Sequence, residues 1–275
     1  MDTRKVVNMA ELSTSPVELA YRAYGTSGPA LVILHGLLGS SGNWHTLASK
    51  AFAPHFRVFA LDLRGHGHSP HALPIDYPTM AADVLAFMDR HHLKQAHLLG
   101  HSMGGKVAME LALDAPERVD HLIVVDIAPR AYAPRHHHIL QALQAVDPSR
   151  YENRKAIDKA LAASLPEDAI RQFLLKNLQY DTQTRRYSWQ VDLKGLVYYY
   201  DRINAAISNH RQFAGPTLFV RGARSDYLSE VDLPTIRQLF PQAQLVTIPE
   251  AGHWVHADAP EAFAHAVLSF LMQQR

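Results

Sequence analysis

The 275-residue chain predicts an α/β protein: a mainly parallel sheet with helices on both faces, interrupted once by a helical insertion. Three observations carry that expectation. Short apolar runs alternate with longer stretches of helical period, the runs end in glycine-containing loops, and the alternation stops between residues 128 and about 209 before resuming.

Taken in order, residues 17–24 alternate like a half-buried strand, 30–34 form a buried strand ending at His35-Gly36, and 56–61 another ending at Asp62. A helix introduced by Tyr77-Pro78 covers 80–91, followed by strand 96–99, helix 103–114 and strand 122–125. From Ala128 the sequence becomes rich in Gln, Arg and Tyr, broken by Asp147-Pro148, Leu165-Pro166 and Gly195, which predicts an all-helical insertion. Strand 217–220, helix 233–240, strand 244–248 and helix 260–272 restore the rhythm. Residues 1–127 and 214–275 are therefore expected to form one sheet domain, with 128–213 as a cap.

Composition narrows the function. With 47% hydrophobic and 19% charged residues the chain suits a globular fold with a sizeable core. Its formal charge of +1 comes from interspersed signs rather than a basic block, so the footprint of a nucleic-acid binder is missing. The absence of cysteine removes disulfides, thiolate metal sites and a cysteine nucleophile. No helical His-Glu-x-x-His pair is present, so no metal site is expected. Residues 1–12 carry charges where a leader needs a continuous apolar run, and no run approaches bilayer length. The expectation is a soluble, cytoplasmic chain, monomeric or homodimeric, without a membrane partner.

The chemistry-bearing motif is Gly100-His101-Ser102-Met103-Gly104, between strand 96–99 and helix 103–114. A serine hydroxyl is a weak nucleophile near neutral pH and must be presented to a base and to oxyanion donors. A sharp strand-to-helix turn does both, and small residues two before and two after the serine relieve its clashes. Ser102 is thus the candidate nucleophile, and the Met103 amide, at a helix N-terminus, a candidate oxyanion donor. The glycine-bearing loop from Leu34 to Gly39 supplies the second donor, for which Leu37 is the choice; losing either should raise the barrier by about 3 kcal/mol.

In this chain order the base comes last, from the loop after the last strand, which selects His253 in Gly252-His253-Trp254. Two carboxylates compete for the acid. Asp126 directly follows strand 122–125, while Asp226 lies in the loop Arg221-Gly222-Ala223-Arg224-Ser225-Asp226. The usual acid of that loop lies three residues after its glycine, where this chain has Ser225, so Asp126 is preferred and Asp226 stays open. Asp62 is too early in the chain and is expected to order its own loop.

At this point the sequence resembles the YbfF-type esterases and their abhydrolase-domain relatives across nearly its whole length. The likeness rests on His35-Gly36-Leu37-Leu38-Gly39-Ser40, Asp62-Leu63-Arg64-Gly65-His66-Gly67-His68-Ser69, Gly100 to Lys106, Val125-Asp126-Ile127-Ala128-Pro129 and Gly252-His253-Trp254-Val255-His256. It implies an α/β-hydrolase fold: a mostly parallel eight-stranded sheet with a helical cap inserted after strand six. It also implies Ser102 and His253 as the catalytic pair, supports Asp126 as acid, and places His35, Gly36 and Trp254 beside the substrate. The implied activity is cofactor-free carboxylesterase action on short- to medium-chain acyl esters, with acyl-CoA thioesters reported for some members. Leu174, Leu175, Leu178, Trp189, Leu196, Tyr198, Tyr199 and Tyr200 are candidates to line an acyl pocket, although residues at such spacing more often hold a cap to its sheet. Serine at the elbow argues against epoxide hydrolase and haloalkane dehalogenase chemistry, which needs aspartate there. A perhydrolase, C–C hydrolase, lyase or non-enzymatic receptor on the same fold remains as an alternative.

Overall fold

A computed structural model describes residues 15–207 and 211–272. Its main sheet has seven strands: β1 (Tyr21–Tyr24), β2 (Ala30–Leu34), β3 (Arg57–Leu61), β4 (Ala96–His101), β5 (Val119–Val125), β8 (Thr217–Gly222) and β9 (Ala243–Ile248). Their order is β1-β3-β2-β4-β5-β8-β9, with only β1 antiparallel to its neighbour. Eight strands and an insertion after the sixth were expected. Seven lie among the described residues and the insertion follows the fifth; residues 1–14, just before β1, are outside them, as is the expected leaderless stretch 1–12.

β2 and β4 are buried at every residue, as central parallel strands covered on both faces must be. Alternate side chains serve two cores. Val32, Leu34, Leu98, Leu122 and Val124 pack with helices α2 (Tyr77–Arg90) and α3 (Met103–Asp114), whereas Leu31, Ile33, Leu99, Ile123 and Val125 pack with α11 (Pro260–Leu271). α2 begins where Asp76 accepts a hydrogen bond from the Thr79 amide at 3.0 Å, with Pro78 in the first turn where no amide hydrogen is needed. The short α1 (His45–Leu47) precedes β3, and α9 (Leu233–Leu239) and α10 (Val255–Asp258) flank β9. Among the described residues no helix is long and apolar enough to cross a membrane.

The segment between β5 and β8 contains α4 (His137–Ala145), α5 (Arg154–Ala162), α6 (Asp168–Leu174), α7 (Leu193–Tyr198) and α8 (Tyr200–Asn204). It is not all-helical. β6 (Leu178–Asp181) and β7 (Arg186–Trp189) pair as an antiparallel hairpin. Asp181 closes the turn by accepting from the Gln183 amide at 2.7 Å and the Thr184 amide at 3.2 Å, while Tyr180 and Tyr187 face each other across the strands. The Trp189 indole then donates to the carbonyls of Leu143 (3.2 Å) and Val146 (3.0 Å), fixing the hairpin to the end of α4.

Candidate active site

The site sits where four parallel strands end, the usual edge for chemistry in such sheets. β4 delivers Ser102, β5 delivers Asp126, and the loops after β8 and β9 bring Ser225 and His253. Ser102 has φ 52° and ψ −118°, and Asp126 also has φ 52°, so nucleophile candidate and acid candidate each leave a strand in the left-handed region that L-residues avoid. A Cβ on Gly100 would lie 2.2 Å from the Gly104 carbonyl oxygen, and one on Gly104 2.5 Å from those of Leu34 and His35. The elbow therefore closes only with glycine at both positions.

Three side chains form a row. Ser102 Oγ lies 3.0 Å from His253 Nε2, and His253 Nδ1 lies 2.8 Å from Asp126 Oδ2. Asp126 is fully buried and its other oxygen accepts from the Gly222 amide at 3.1 Å. Ser225 Oγ donates to the same Oδ2 that meets the histidine. The residue at the alternative acid position thus bonds the carboxylate of the neighbouring strand. Asp226 is elsewhere: its carboxylate is 73% exposed and pairs with Arg135 at 2.6 Å, which holds it below the usual carboxylate value.

Several neighbours invisible to motif reading position these groups. Tyr227 stacks on the His253 ring, centroids 3.9 Å apart. His101 donates from Nε2 to the His253 carbonyl at 2.8 Å. Burial, reinforced by His253 and His256, keeps His101 well below the ordinary imidazole value. Room for its ring comes from Gly36, where a Cβ would stand 2.8 Å from His101 Nδ1.

The loop after β2 is held by two neutral imidazoles. His35 donates from Nδ1 to the Gly36 carbonyl (2.8 Å) and accepts the Leu63 amide on Nε2 (3.0 Å). His66 donates to the Arg64 carbonyl (3.1 Å) and accepts the Leu38 amide (3.2 Å). Burial lowers both, His66 to about 3 with His35 contributing. The Gly39 amide donates to the Gly36 carbonyl at 3.0 Å. With the Leu38 and Gly39 amides engaged, Leu37 just before them borders the space on both sides of Ser102. Asp62 orders its loop as expected, accepting from the Ser41 (2.6 Å) and His68 (2.9 Å) amides.

Two cavities meet at Ser102. The first is bordered by His35, Gly36 and Trp254 from the sheet side and by Ile139, Ile170, Phe173 and Leu174 from the insertion. Of the eight cap residues named as pocket candidates, only Leu174 borders it. Tyr198 is exposed, and Tyr200 donates nothing to the cavity but accepts the His136 amide at 2.6 Å. The second cavity is bordered by Tyr77, Met103, Lys106, Tyr132 and Ile203 among others. Lys106 Nζ donates to the carbonyls of Arg130 (2.7 Å) and Ala205 (2.5 Å), one near each end of the insertion, between the rings of Tyr77 and Tyr132. Burial, then Arg130, pushes Lys106 down to about 7.

Comparison with known proteins identifies the family. The family described as "alpha/beta hydrolase fold" matches residues 29–260. The "sn-1-specific diacylglycerol lipase ABHD11" of Mus musculus is 41% identical, covering 93% of this chain and 86% of its own. The "Esterase YbfF" of Escherichia coli (strain K12) is 35% identical over 88% of this chain and 92% of its own. A solved "Marine microorganism esterase" superposes with a TM-score of 0.90 at 39% identity, covering 92% of this chain and 99% of that one. With most of its length inside the family match, and with such relatives, the chain belongs to the alpha/beta hydrolase fold family.

Proposed function

We propose that this chain is a serine carboxylesterase that hydrolyses short- to medium-chain acyl esters through an acyl-enzyme on Ser102. The observation that carries the reading is the row Ser102 Oγ, His253, Asp126 at 3.0 and 2.8 Å. His253 Nε2 removes the hydroxyl proton as Ser102 attacks the ester carbonyl, and Asp126 holds the imidazole in the tautomer that leaves Nε2 free to accept it. The amides of Met103 and Leu37 take the oxyanion charge; the first sits at the N-terminus of α3, where it has no intrahelical partner. Collapse returns the proton from His253 to the departing alcohol oxygen, and water repeats the sequence on the acyl-enzyme. An acyl-CoA thioester follows the same steps with a thiol as leaving group. Residues 128–213 act as the cap, whose apolar side chains shape the acyl side of the first cavity.

The test compares the wild-type chain with Ser102→Ala on p-nitrophenyl acetate, butyrate and octanoate and on acetyl- and octanoyl-CoA, together with fluorophosphonate labelling. Wild type should turn over the esters and label at Ser102, and the variant should lose about 10⁴-fold or more in kcat and fail to label. Variant turnover within tenfold of wild type would remove Ser102 as nucleophile. Labelling without release of acid from any substrate would favour the receptor or lyase readings instead.

A further inference from the structure

Among the described residues, one group of three metal-ligating side chains converges away from the active site: His97, Asp120 and His121. His97 is the second residue of β4, and Asp120 and His121 are the second and third of β5. Adjacent residues of a strand normally point to opposite faces. Here the register departs from that rule. Ala96 pairs with Val119 and Leu98 with Leu122, so His97 alone stands against both Asp120 and His121. Such a two-against-one bulge re-aims side chains, and it is rare between parallel strands.

The result is a compact donor set. Asp120 Oδ2 lies 3.4 Å from His97 Nδ1 and 3.2 Å from His121 Nδ1, and one ligand atom from each residue falls within 4.8 Å of the others. Ligands at zinc bond lengths of 2.0–2.1 Å in a tetrahedron stand about 3.3 Å apart, so two of the three edges already have the needed length. The imidazoles are buried and braced edge-to-face, His97 by Phe56 and His121 by Phe270. Asp120 is half-buried and borders, with His97 and Gln95, an open recess that gives a path for an ion and for water. Arg57, at the start of β3 and two strands from β4, lines the same recess and donates from Nε to the Gly28 carbonyl at 3.1 Å.

We propose that His97, Asp120 and His121 bind a divalent cation of the zinc class through two imidazole nitrogens and one carboxylate oxygen, with water completing the shell. Imidazole with a single carboxylate suits borderline late first-row dications rather than calcium or magnesium. The site lies five residues before Ser102 along β4, about 17 Å away at the opposite end of the sheet. The ion therefore clamps the starts of the two strands whose ends carry Ser102 and Asp126, and takes no part in ester chemistry.

The experiment uses the full chain after chelator treatment, titrated calorimetrically with ZnCl2 at pH 7.5, with CoCl2 absorption spectra and melting temperatures measured in parallel. Wild type and Ser102→Ala should both bind one zinc ion tightly enough to raise the melting temperature. His97→Gln and the half-exposed Asp120→Ala should each weaken binding at least about 10-fold and lose the thermal gain, while p-nitrophenyl acetate turnover stays unchanged. Absence of zinc binding to wild type below about 100 µM would overturn the proposal. Binding of equal strength in both variants would overturn it too, placing the ion on other histidines such as His136–His138.

Discussion

At the sheet edge each side chain of the candidate triad is fixed by polar contacts: Asp126 receives Gly222, Ser225 and His253, and His253 is stacked by Tyr227 and tied through its carbonyl to His101. The insertion reaches the same cavity with Ile139, Ile170, Phe173 and Leu174, side chains that have shape but no direction. Proton transfer fails if a donor moves by an ångström, whereas an acyl chain needs only a dry surface of the right outline. Changes at the sheet edge should therefore fall on kcat and on folding, and changes in the insertion on KM.

The largest expected contrast is between the two aspartates. Asp126→Asn should lose about 10⁴-fold in kcat, about 5 kcal/mol, by presenting an amide where His253 Nδ1–H needs an anion. Asp226→Asn, which only breaks an exposed pair with Arg135, should stay within twofold on p-nitrophenyl butyrate. Equal losses in both variants would dissolve the distinction between the β5 acid and its neighbour.

Next in size is acid sensitivity of the sheet edge. Burial lowers His66 and His256 to about 3, whereas in the unfolded chain they titrate near 6.5. As pH falls between those values the unfolded state takes up protons that the folded state refuses, so stability is full above 6.5 and is lost toward 3. At about 1.4 kcal/mol per unit for each group, the pair should remove about 4 kcal/mol of unfolding free energy between pH 7.5 and 5. Urea titrations of wild type and His66→Gln should show the variant losing about 2 kcal/mol less than wild type over that range; identical pH slopes would mean that this ring protonates in place.

That Ser102 and His253 come together was legible in the sequence because their signals are local: a glycine-flanked elbow between strand and helix, and a histidine in the last loop. Which aspartate meets His253 was open because that neighbourhood is assembled from β5 and β8, and only the docked loops put Ser225 on Asp126 and Arg135 on Asp226. His66, His101 and Tyr227 carried no local signal, since each acts on a backbone group or ring far away in the chain. The hairpin from Leu178 to Trp189 is too short and too polar for its period to outweigh the helical stretches around it, and tertiary contacts of Trp189 fix it. The same holds for Ile170 and Phe173, whose facing is set by how α6 docks. The trio His97, Asp120 and His121 depends on a register shift between two strands, which no spacing rule reveals.

Lys106 joins the two regions and offers a smaller effect. Its Nζ holds the carbonyls of Arg130 and Ala205, so the cost of burying its charge is spent where the insertion leaves and re-enters the sheet. With a folded value of about 7 against an ordinary 10.5, the unfolded chain binds the extra proton between those pH values, and stability rises with pH across that window. Relative to Lys106→Met, wild type should gain about 2 kcal/mol between pH 7 and 9 in denaturant titrations. A flat difference would show that the two carbonyls and two tyrosine rings keep the ammonium charged, making the joint a fixed strut.

The smallest expected effect tests the insertion itself. Phe173 borders the first cavity and meets Trp254 with ring centroids 5.4 Å apart, so removing it takes apolar surface from a substrate without touching Ser102, His253 or Asp126. Phe173→Ala should raise KM for p-nitrophenyl octanoate about 5-fold, about 1 kcal/mol of lost acyl contact, and leave acetate kinetics within twofold because a two-carbon acyl group does not reach that wall. A fall in kcat of equal size on both esters would instead mean that the ring holds Trp254, and through it the His253 loop, in place. The insertion would then belong to the same positioning network as Tyr227, and its apolar wall would act on proton transfer as well as on substrate fit.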